Sequence, residues 1–171
     1  MADTFQPQSA GDERANTIGL WTRRAVLALF GVVVLLALLN VFGQRPTDSE
    51  ATTGGARLSL SAPKTVRGGI LFQSRIEVRA LRTIDHARLV LREGWFEGMQ
   101  ISNIEPQPTS EESQDGRVVL SYGRLRAGDR LVVWVQSQVD PTNPGRRDYG
   151  VELQDAVTPV ARIDRRITVL P

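Results

Sequence analysis

The longest uncharged stretch, Ala25 to Gly43, constrains this chain more than any other feature of its sequence. A helix over these residues would be about 28 Å long, close to the hydrocarbon thickness of a bilayer. The stretch contains six Leu, five Val and two Phe residues, all of which favour insertion into lipid. With Trp21 as an interfacial residue, the sequence predicts a transmembrane helix over residues 21–43 that places residues 25–43 in a lipid bilayer.

The charges beside this stretch predict its orientation. Arg23 and Arg24 precede it, whereas only Arg45 follows it closely. Because basic residues concentrate on the cytoplasmic side, we expect a single-pass protein of the cell membrane with a cytoplasmic N-terminus and an extracytoplasmic C-terminal domain. The segment from Thr22 to Leu27 also resembles a twin-arginine export signal, so a cleaved signal is the alternative. No Ala-x-Ala site follows it, which favours an uncleaved anchor.

Two polar segments flank the apolar stretch. Residues 1–20 are polar and without periodicity, which predicts a disordered cytoplasmic tail. Residues 44–56 are rich in Thr, Ser, Gly and Pro and predict a flexible linker.

Residues 57–171 alternate apolar and polar side chains with a period of two, which is typical of half-buried strands. No helical apolar stripe is longer than two turns. The expected fold is therefore an all-β domain, an antiparallel β-sandwich preceded by one transmembrane α-helix. Its strands are predicted over residues 57–62, 70–80, 86–92, 99–104, 116–122, 130–139, 148–154 and 161–170.

The alternation is clearest over residues 130–139. Val133, Val135 and Val139 are expected to face the core, while Trp134 lies on the other face. The preceding residues 123–129 predict a corner between two strands, in which Gly128 takes a positive φ and Asp129 bonds back to the turn.

The Leu-x-Ala-Gly-Asp corner at 125–129, followed by an alternating Val strand, is similar to immunoglobulin-like bacterial surface modules of the CARDB type. The whole layout, from an anchor flanked by two Arg residues to the final Ile-Thr-Val-Leu-Pro at 167–171, resembles uncharacterised single-pass membrane proteins of GC-rich bacteria. This resemblance covers residues 57–171 and implies an immunoglobulin-like sandwich. It transfers no functional residue.

Composition excludes several classes of function. The chain has no cysteine, so disulfides, thiolate metal sites and thiol nucleophiles are absent. Its 18 basic and 16 acidic residues after position 44 are interleaved, which does not give the concentrated basic face that nucleic-acid binding needs. The only histidine, His86, opens a predicted strand, and one histidine cannot form a His-rich metal site. A catalytic triad would use His86 as its base, but no serine or threonine lies in a known nucleophile motif.

Acidic residues offer the remaining chemistry. Glu93 and Glu97 flank two aromatics, a pattern that could serve a glycoside hydrolase, although a small sandwich rarely forms the deep cleft required. The run from Glu111 to Asp115 could bind Ca²⁺, but its spacing matches no EF-hand and favours a solvated loop. We therefore predict no catalytic residue, cofactor or metal.

Five residues are candidate partner contacts. Trp95 and Phe96 lie between glycines and either close the end of the core or contact a partner or glycan. Trp134 either packs under a neighbouring element or anchors an interface. Arg146 and Arg147 either form a solvated pair beside Asp148 or recognise an anionic group such as a lipid headgroup.

These observations favour a non-catalytic module that binds or positions a partner protein of the envelope or membrane. A carbohydrate- or lipid-binding domain is the first alternative, and a wall-acting hydrolase that uses Glu93 or Glu97 is the second. Fold alone does not choose among them.

Overall fold

The computed structural model describes residues 10–38 and 46–171. The chain forms two compact units, residues 1–43 and residues 44–171, and each is described by itself.

The described part of the first unit is one helix, α1 (Ala10–Leu38). Residues 10–20, which were predicted to belong to a disordered tail, are helical. They extend the helix formed by the apolar residues after them, and such an extension needs no new nucleation. The guanidinium of Arg24 lies over the ring of Trp21, 5.8 Å from its centroid. Within residues 10–38 and 46–171, no helix combines the length and apolarity that crossing a membrane requires. Residues 39–43 of the predicted span, and residues 1–9 of the predicted tail, lie outside the described residues.

The second unit is built from three sheets. In the first sheet the strand order is β1-β2-β4-β9-β6 and all neighbours are antiparallel. Its strands are β1 (Pro46–Thr52), β2 (Ala56–Pro63), β4 (Leu71–Ala80), β9 (Arg130–Val139) and β6 (Met99–Glu105).

The second sheet, also antiparallel, has the order β12-β11-β5-β8-β7. Its strands are β12 (Thr158–Ile163), β11 (Val151–Asp155), β5 (Ile84–Leu91), β8 (Arg117–Leu125) and β7 (Ser110–Gln114). A third, small sheet has the order β10-β13-β3, with β13 parallel to β3. It contains β10 (Gly145–Asp148), β13 (Arg166–Leu170) and β3 (Thr65–Arg67), and a 3-10 helix (Glu93–Trp95) follows β5.

One hydrophobic core joins the sheets, as the alternation predicted. Leu58, Ile76 and Val133 from the first sheet and Leu89 and Leu120 from the second are fully buried in the same cluster. The mostly antiparallel β-sandwich is therefore confirmed, and the inward face of β9 is the expected one, with Val133, Val135 and Val139 buried.

The corner between β8 and β9 is also confirmed. Gly128 has a φ of +93°. The Asp129 carboxylate accepts a hydrogen bond from the backbone N–H of Arg126 at 2.8 Å. The turn is thus closed by the side chain that the sequence indicated.

The predicted flexible linker 44–56 is wrong for residues 46–52, which form β1 and pair with β2 from Pro46↔Pro63 to Thr52↔Arg57. None of the side chains of β1 is fully buried, so the strand has no apolar face. The sequence therefore shows no alternation of apolar and polar residues there. Its backbone is held instead by β2 and by Arg165, whose guanidinium donates to the carbonyls of Thr47 and Ala62.

Two further expectations need correction. The acidic run 111–115, expected to be a solvated loop, is mostly strand β7, which ends in a tight turn at Asp115 and Gly116, both with positive φ. The strand expected over 161–170 is two strands, β12 and β13, in different sheets, because the chain turns at Asp164 and Arg165.

Candidate functional site

Trp134 lies on the outer surface of the first sheet, on β9, which neighbours the edge strand β6. The alternation of β9 turns Val133 and Val135 inwards and leaves the Trp134 side chain 40% exposed. Arg75 of β4 lies opposite Trp134 on one side and Glu105 of β6 on the other. An exposed indole on a sheet surface keeps apolar area in contact with water, which is unfavourable unless another surface covers it.

The Arg75 guanidinium fixes the surroundings of this indole. It lies 5.6 Å from the Trp134 ring centroid, a cation–π distance, and also bonds to Glu77. Glu77 in turn accepts two hydrogen bonds from Arg130, at 2.6 and 2.9 Å. These hydrogen bonds, chiefly that from Arg130, lower the pKa of the Glu77 carboxyl. The carboxylate therefore stays ionised and holds Arg75 beside the indole.

Amide side chains, together with the exposed Leu71, occupy the neighbouring rows of this surface. Gln136 lies between Gln73 and Asn103 in one row across the strands, and Gln138 lies opposite Gln100 in the next. None of these five side chains forms a hydrogen bond with another described residue. Each therefore offers both a donor and an acceptor to an incoming molecule. We call the outward residues of β4, β9 and β6 around Trp134 the Trp134 face.

The outer surface of the second sheet is different because its own side chains cover it. Val90 and Val119 lie opposite each other and point outwards, yet they are only 6% and 5% exposed. Arg88 donates to Glu112 at 3.0 Å. Further bonds join Arg92 to Asp148 and Asp164, Arg162 to Asp164, and Gln154 to Glu152. Most charged side chains on this surface are thus paired with one another, whereas the amide side chains of the Trp134 face have no partner.

Trp95 is not available as a contact residue. Its side chain is fully buried, its ring stacks on Tyr149 with centroids 3.7 Å apart, and its Nε1–H donates to the carbonyl of Gly150 at 2.9 Å. Gly94 permits this because a Cβ there would lie 2.3 Å from the carbonyl oxygen of Asp148. Phe96 is half-buried and packs against the same core. The two aromatics close the end of the core, which was one of the two interpretations of the sequence.

Arg146 and Arg147 do not act as a pair. Arg147 is only 8% exposed, and its guanidinium donates to the carbonyl of Glu97 at 3.0 Å and to Asn143 Oδ1 at 2.6 Å. Arg146 is exposed on the opposite side of β10. Only Arg146 can therefore reach an anionic group.

The residues considered for catalysis lie apart on the surface. Glu93 and Glu97 are both exposed, and Glu97 lies 3.5 Å from the Arg147 guanidinium. His86 is exposed at the start of β5. The depression beside Glu93 has a volume of about 230 Å³, and Arg92 and Asp148 in its wall are already ion-paired. In residues 10–38 and 46–171, no three His, Cys, Asp or Glu side chains come close enough together to hold a metal ion.

No protein-family model matches the sequence, and no curated protein is similar to it. Among solved structures, a non-cellulosomal cohesin from the hyperthermophilic archaeon Archaeoglobus fulgidus is 12% identical with a TM-score of 0.42, over 73% of this chain and 92% of that chain. CaCohA2 from Clostridium acetobutylicum is 9% identical with a TM-score of 0.43, over 66% and 88% of the two chains.

A third similar structure is AvmM, which is described as catalysing macrocyclization in alchivemycin A biosynthesis. It is 8% identical with a TM-score of 0.40, over 75% of this chain and 92% of AvmM. Similarity at this level does not extend to function, so the residues of the Trp134 face have to carry any functional conclusion.

Proposed function

We propose that this chain is a non-catalytic module that binds a partner protein of the cell envelope through the Trp134 face, and that residues 25–43 hold it in the membrane with its β-domain outside the cytoplasm. The exposure of Trp134 beside Arg75 is the observation that carries this proposal. Tryptophan and arginine are the residues most enriched at the energetic centres of protein interfaces. The uncharged stretch 25–43 supports the anchor.

The size of the sheet around the Trp134 face suits a partner protein. The five strands of this sheet, about 4.8 Å apart and about eight residues long, have an outer surface of roughly 600 Å² in projection. A standard interface buries about 800 Å² of accessible surface on each partner, so a partner bound at Trp134 would cover most of this outer surface. The polar amides around the indole match the arrangement of an apolar centre and a polar rim.

A carbohydrate is the second candidate ligand because of the five amide side chains without partners around the indole. Each amide can donate to and accept from sugar hydroxyls, and an indole can stack on the apolar face of a sugar ring.

Photo-crosslinking in intact cells tests the proposal. A photoreactive amino acid replaces Gln136 in one variant and Gln154 in the matched control, since both glutamines lie on outer sheet surfaces. We expect a discrete protein adduct from position 136 only, and its loss when Trp134→Ala is added. Equal adducts from both positions, or an adduct that survives Trp134→Ala, would overturn the protein-binding proposal. Retention of the chain by envelope polysaccharide, abolished by Trp134→Ala and without a protein adduct, would establish the carbohydrate instead.

A further inference from the structure

The outer surface of the small sheet is basic. Alternation along β10, β13 and β3 turns Arg147, Ile167 and Val66 inwards. The intervening side chains face outwards and are exposed, Leu170 among them, except that Thr168 is half-buried. We call this surface the basic face, and its cations are Arg67, Arg146 and Arg166.

None of the three cations of the basic face forms an ion pair with another described residue. The single acid on this surface is Asp148, which lies opposite Arg166 but is bonded to Arg92 at 2.6 Å. The positive charge is therefore not neutralised within the molecule, and an external anion would gain from every one of these cations.

Two hydroxyl groups complete the surface. Thr168 of β13 lies between Arg146 of β10 and Thr65 of β3, in one row across the small sheet. Neither threonine side chain bonds to another described residue. Hydroxyl and guanidinium donors on adjacent strands, about 4.8 Å apart, suit the several oxygens of a phosphate group.

The position of this surface along the chain indicates where the phosphate comes from. Pro63, which ends β2 just before β3, lies opposite Pro46 in the first sheet. Pro46 follows Gly43, the last residue of the uncharged stretch, by only three residues, which span at most about 10 Å. A bilayer that contained residues 25–43 would hold the basic face within reach of its own headgroups.

We infer that the basic face docks on anionic lipid headgroups of the membrane in which the chain is anchored. This inference rests on the anchor of the proposed function. It also gives the β-domain a preferred orientation, since phosphate-bearing headgroups attract clustered basic residues that lie within a Debye length of the surface. The Trp134 face belongs to a different sheet and stays free for its partner.

Energy transfer from the protein to the bilayer tests this inference with the full chain. The chain has no cysteine, so Pro171→Cys, next to Leu170 of the small sheet, takes a single donor dye. The chain is reconstituted into vesicles of phosphatidylcholine alone or mixed with phosphatidylglycerol, each with an acceptor-labelled lipid. We expect higher transfer efficiency on the anionic vesicles and its decline at high salt.

A triple variant of the basic face, R67Q/R146Q/R166Q, should reduce transfer on anionic vesicles to the level on neutral ones. The matched control is R79Q/R82Q/R126Q. It removes three exposed arginines that likewise have no ion pair among the described residues but lie at the other end of the first sheet or in the adjoining loops. The control should transfer like the unmodified chain. Circular dichroism verifies that the variants fold. The comparisons between salt concentrations and between lipid compositions use the chain with its native basic face, so they do not depend on the folding of any charge variant.

Each outcome is decisive. Stable insertion in both vesicle types with equal transfer overturns the basic-face inference and leaves the anchor intact. Binding to anionic vesicles only, lost in the R67Q/R146Q/R166Q variant, supports the basic face and overturns the anchor. Failure to float with either vesicle type overturns both.

Discussion

Glu77 links the two arginines beside the exposed indole. Its carboxylate bonds to Arg75 and, through two hydrogen bonds, to Arg130. Its side chain is 22% exposed, so solvent screens the pair only in part. The lowered pKa of Glu77 means that the folded chain favours its ionised form more strongly than the unfolded chain does.

Replacing this carboxylate should therefore have a pH-dependent effect. A carboxyl whose pKa is lower in the folded state stabilises the fold above its unfolded pKa, and this contribution disappears as pH falls through the folded pKa. Glu77→Gln should reduce the free energy of unfolding by about 0.5–1 kcal/mol at neutral pH. The difference from the unmodified chain should shrink as pH falls below 4.5, the ordinary carboxyl value. Urea denaturation at a series of pH values measures it, and a difference that does not change with pH would contradict the assignment.

Individual side chains show which parts of the site the sequence could predict. Trp134 could be assigned to the outer face because strict alternation along β9 leaves no other choice. Trp95 could not be assigned, because its burial depends on the close approach of Gly94 to Asp148, more than 50 residues later. Arg147 is a similar case, since its partners Glu97 and Asn143 come from two separate loops.

At the scale of the element, β1 is a strand held by polar contacts rather than by a buried face. Its side chains alternate between exposed and half-buried, and it forms one edge of the first sheet. The Arg165 guanidinium, from the turn between β12 and β13, donates to carbonyls of β1 and β2. Burial lowers the pKa of Arg165, and it has carbonyl partners instead of a carboxylate. The guanidinium thus satisfies backbone acceptors of two strands at once.

Arg165→Met should loosen β1 selectively. Methionine keeps much of the buried volume but removes the hydrogen bonds that the guanidinium donates to the carbonyls of Leu60 and Ala62, each worth about 0.5–1.5 kcal/mol. Hydrogen exchange should accelerate most over residues 46–52 and much less over β9. Arg162→Met, three residues earlier and exposed, is the matched control. Uniform acceleration across the whole sandwich would show that Arg165 supports the core in general and not this strand.

The elements that sequence reasoning missed have a shared physical cause. The strands β1, β3, β7 and β10 are short or carry few buried side chains, so burial does not impose an apolar pattern on them. The Asp115-Gly116 turn was nevertheless readable as a hairpin signal, because both residues must take a positive φ in such a turn. The long strands β4 and β9, buried on one face, were predictable for the opposite reason.

At the scale of the whole molecule, the three outer surfaces of the β-domain differ in how many of their charged and hydrogen-bonding side chains are paired within the surface. The second sheet pairs its own charges, the first presents an open indole among free amides, and the small sheet presents unneutralised cations. Such a division gives one domain two separate recognition surfaces of different chemistry. Sequence alone predicted the sandwich and the outward Trp134, whereas the basic face depends on three strands from distant parts of the chain coming together.

The proposed anchor requires the two ends of the chain to lie on opposite sides of a membrane, and the absence of cysteine makes this directly measurable. Ser9→Cys places a thiol before the uncharged stretch, and Ser113→Cys places one on the exposed strand β7. In intact cells, a maleimide that cannot cross membranes should label only Ser113→Cys, because the paired Arg23 and Arg24 favour retention of the N-terminus in the cytoplasm. Lysis should then expose Ser9→Cys, which controls for thiol reactivity. Labelling of both thiols in intact cells, or of neither before lysis, would contradict the orientation from which the basic face and the Trp134 face both derive their proposed roles.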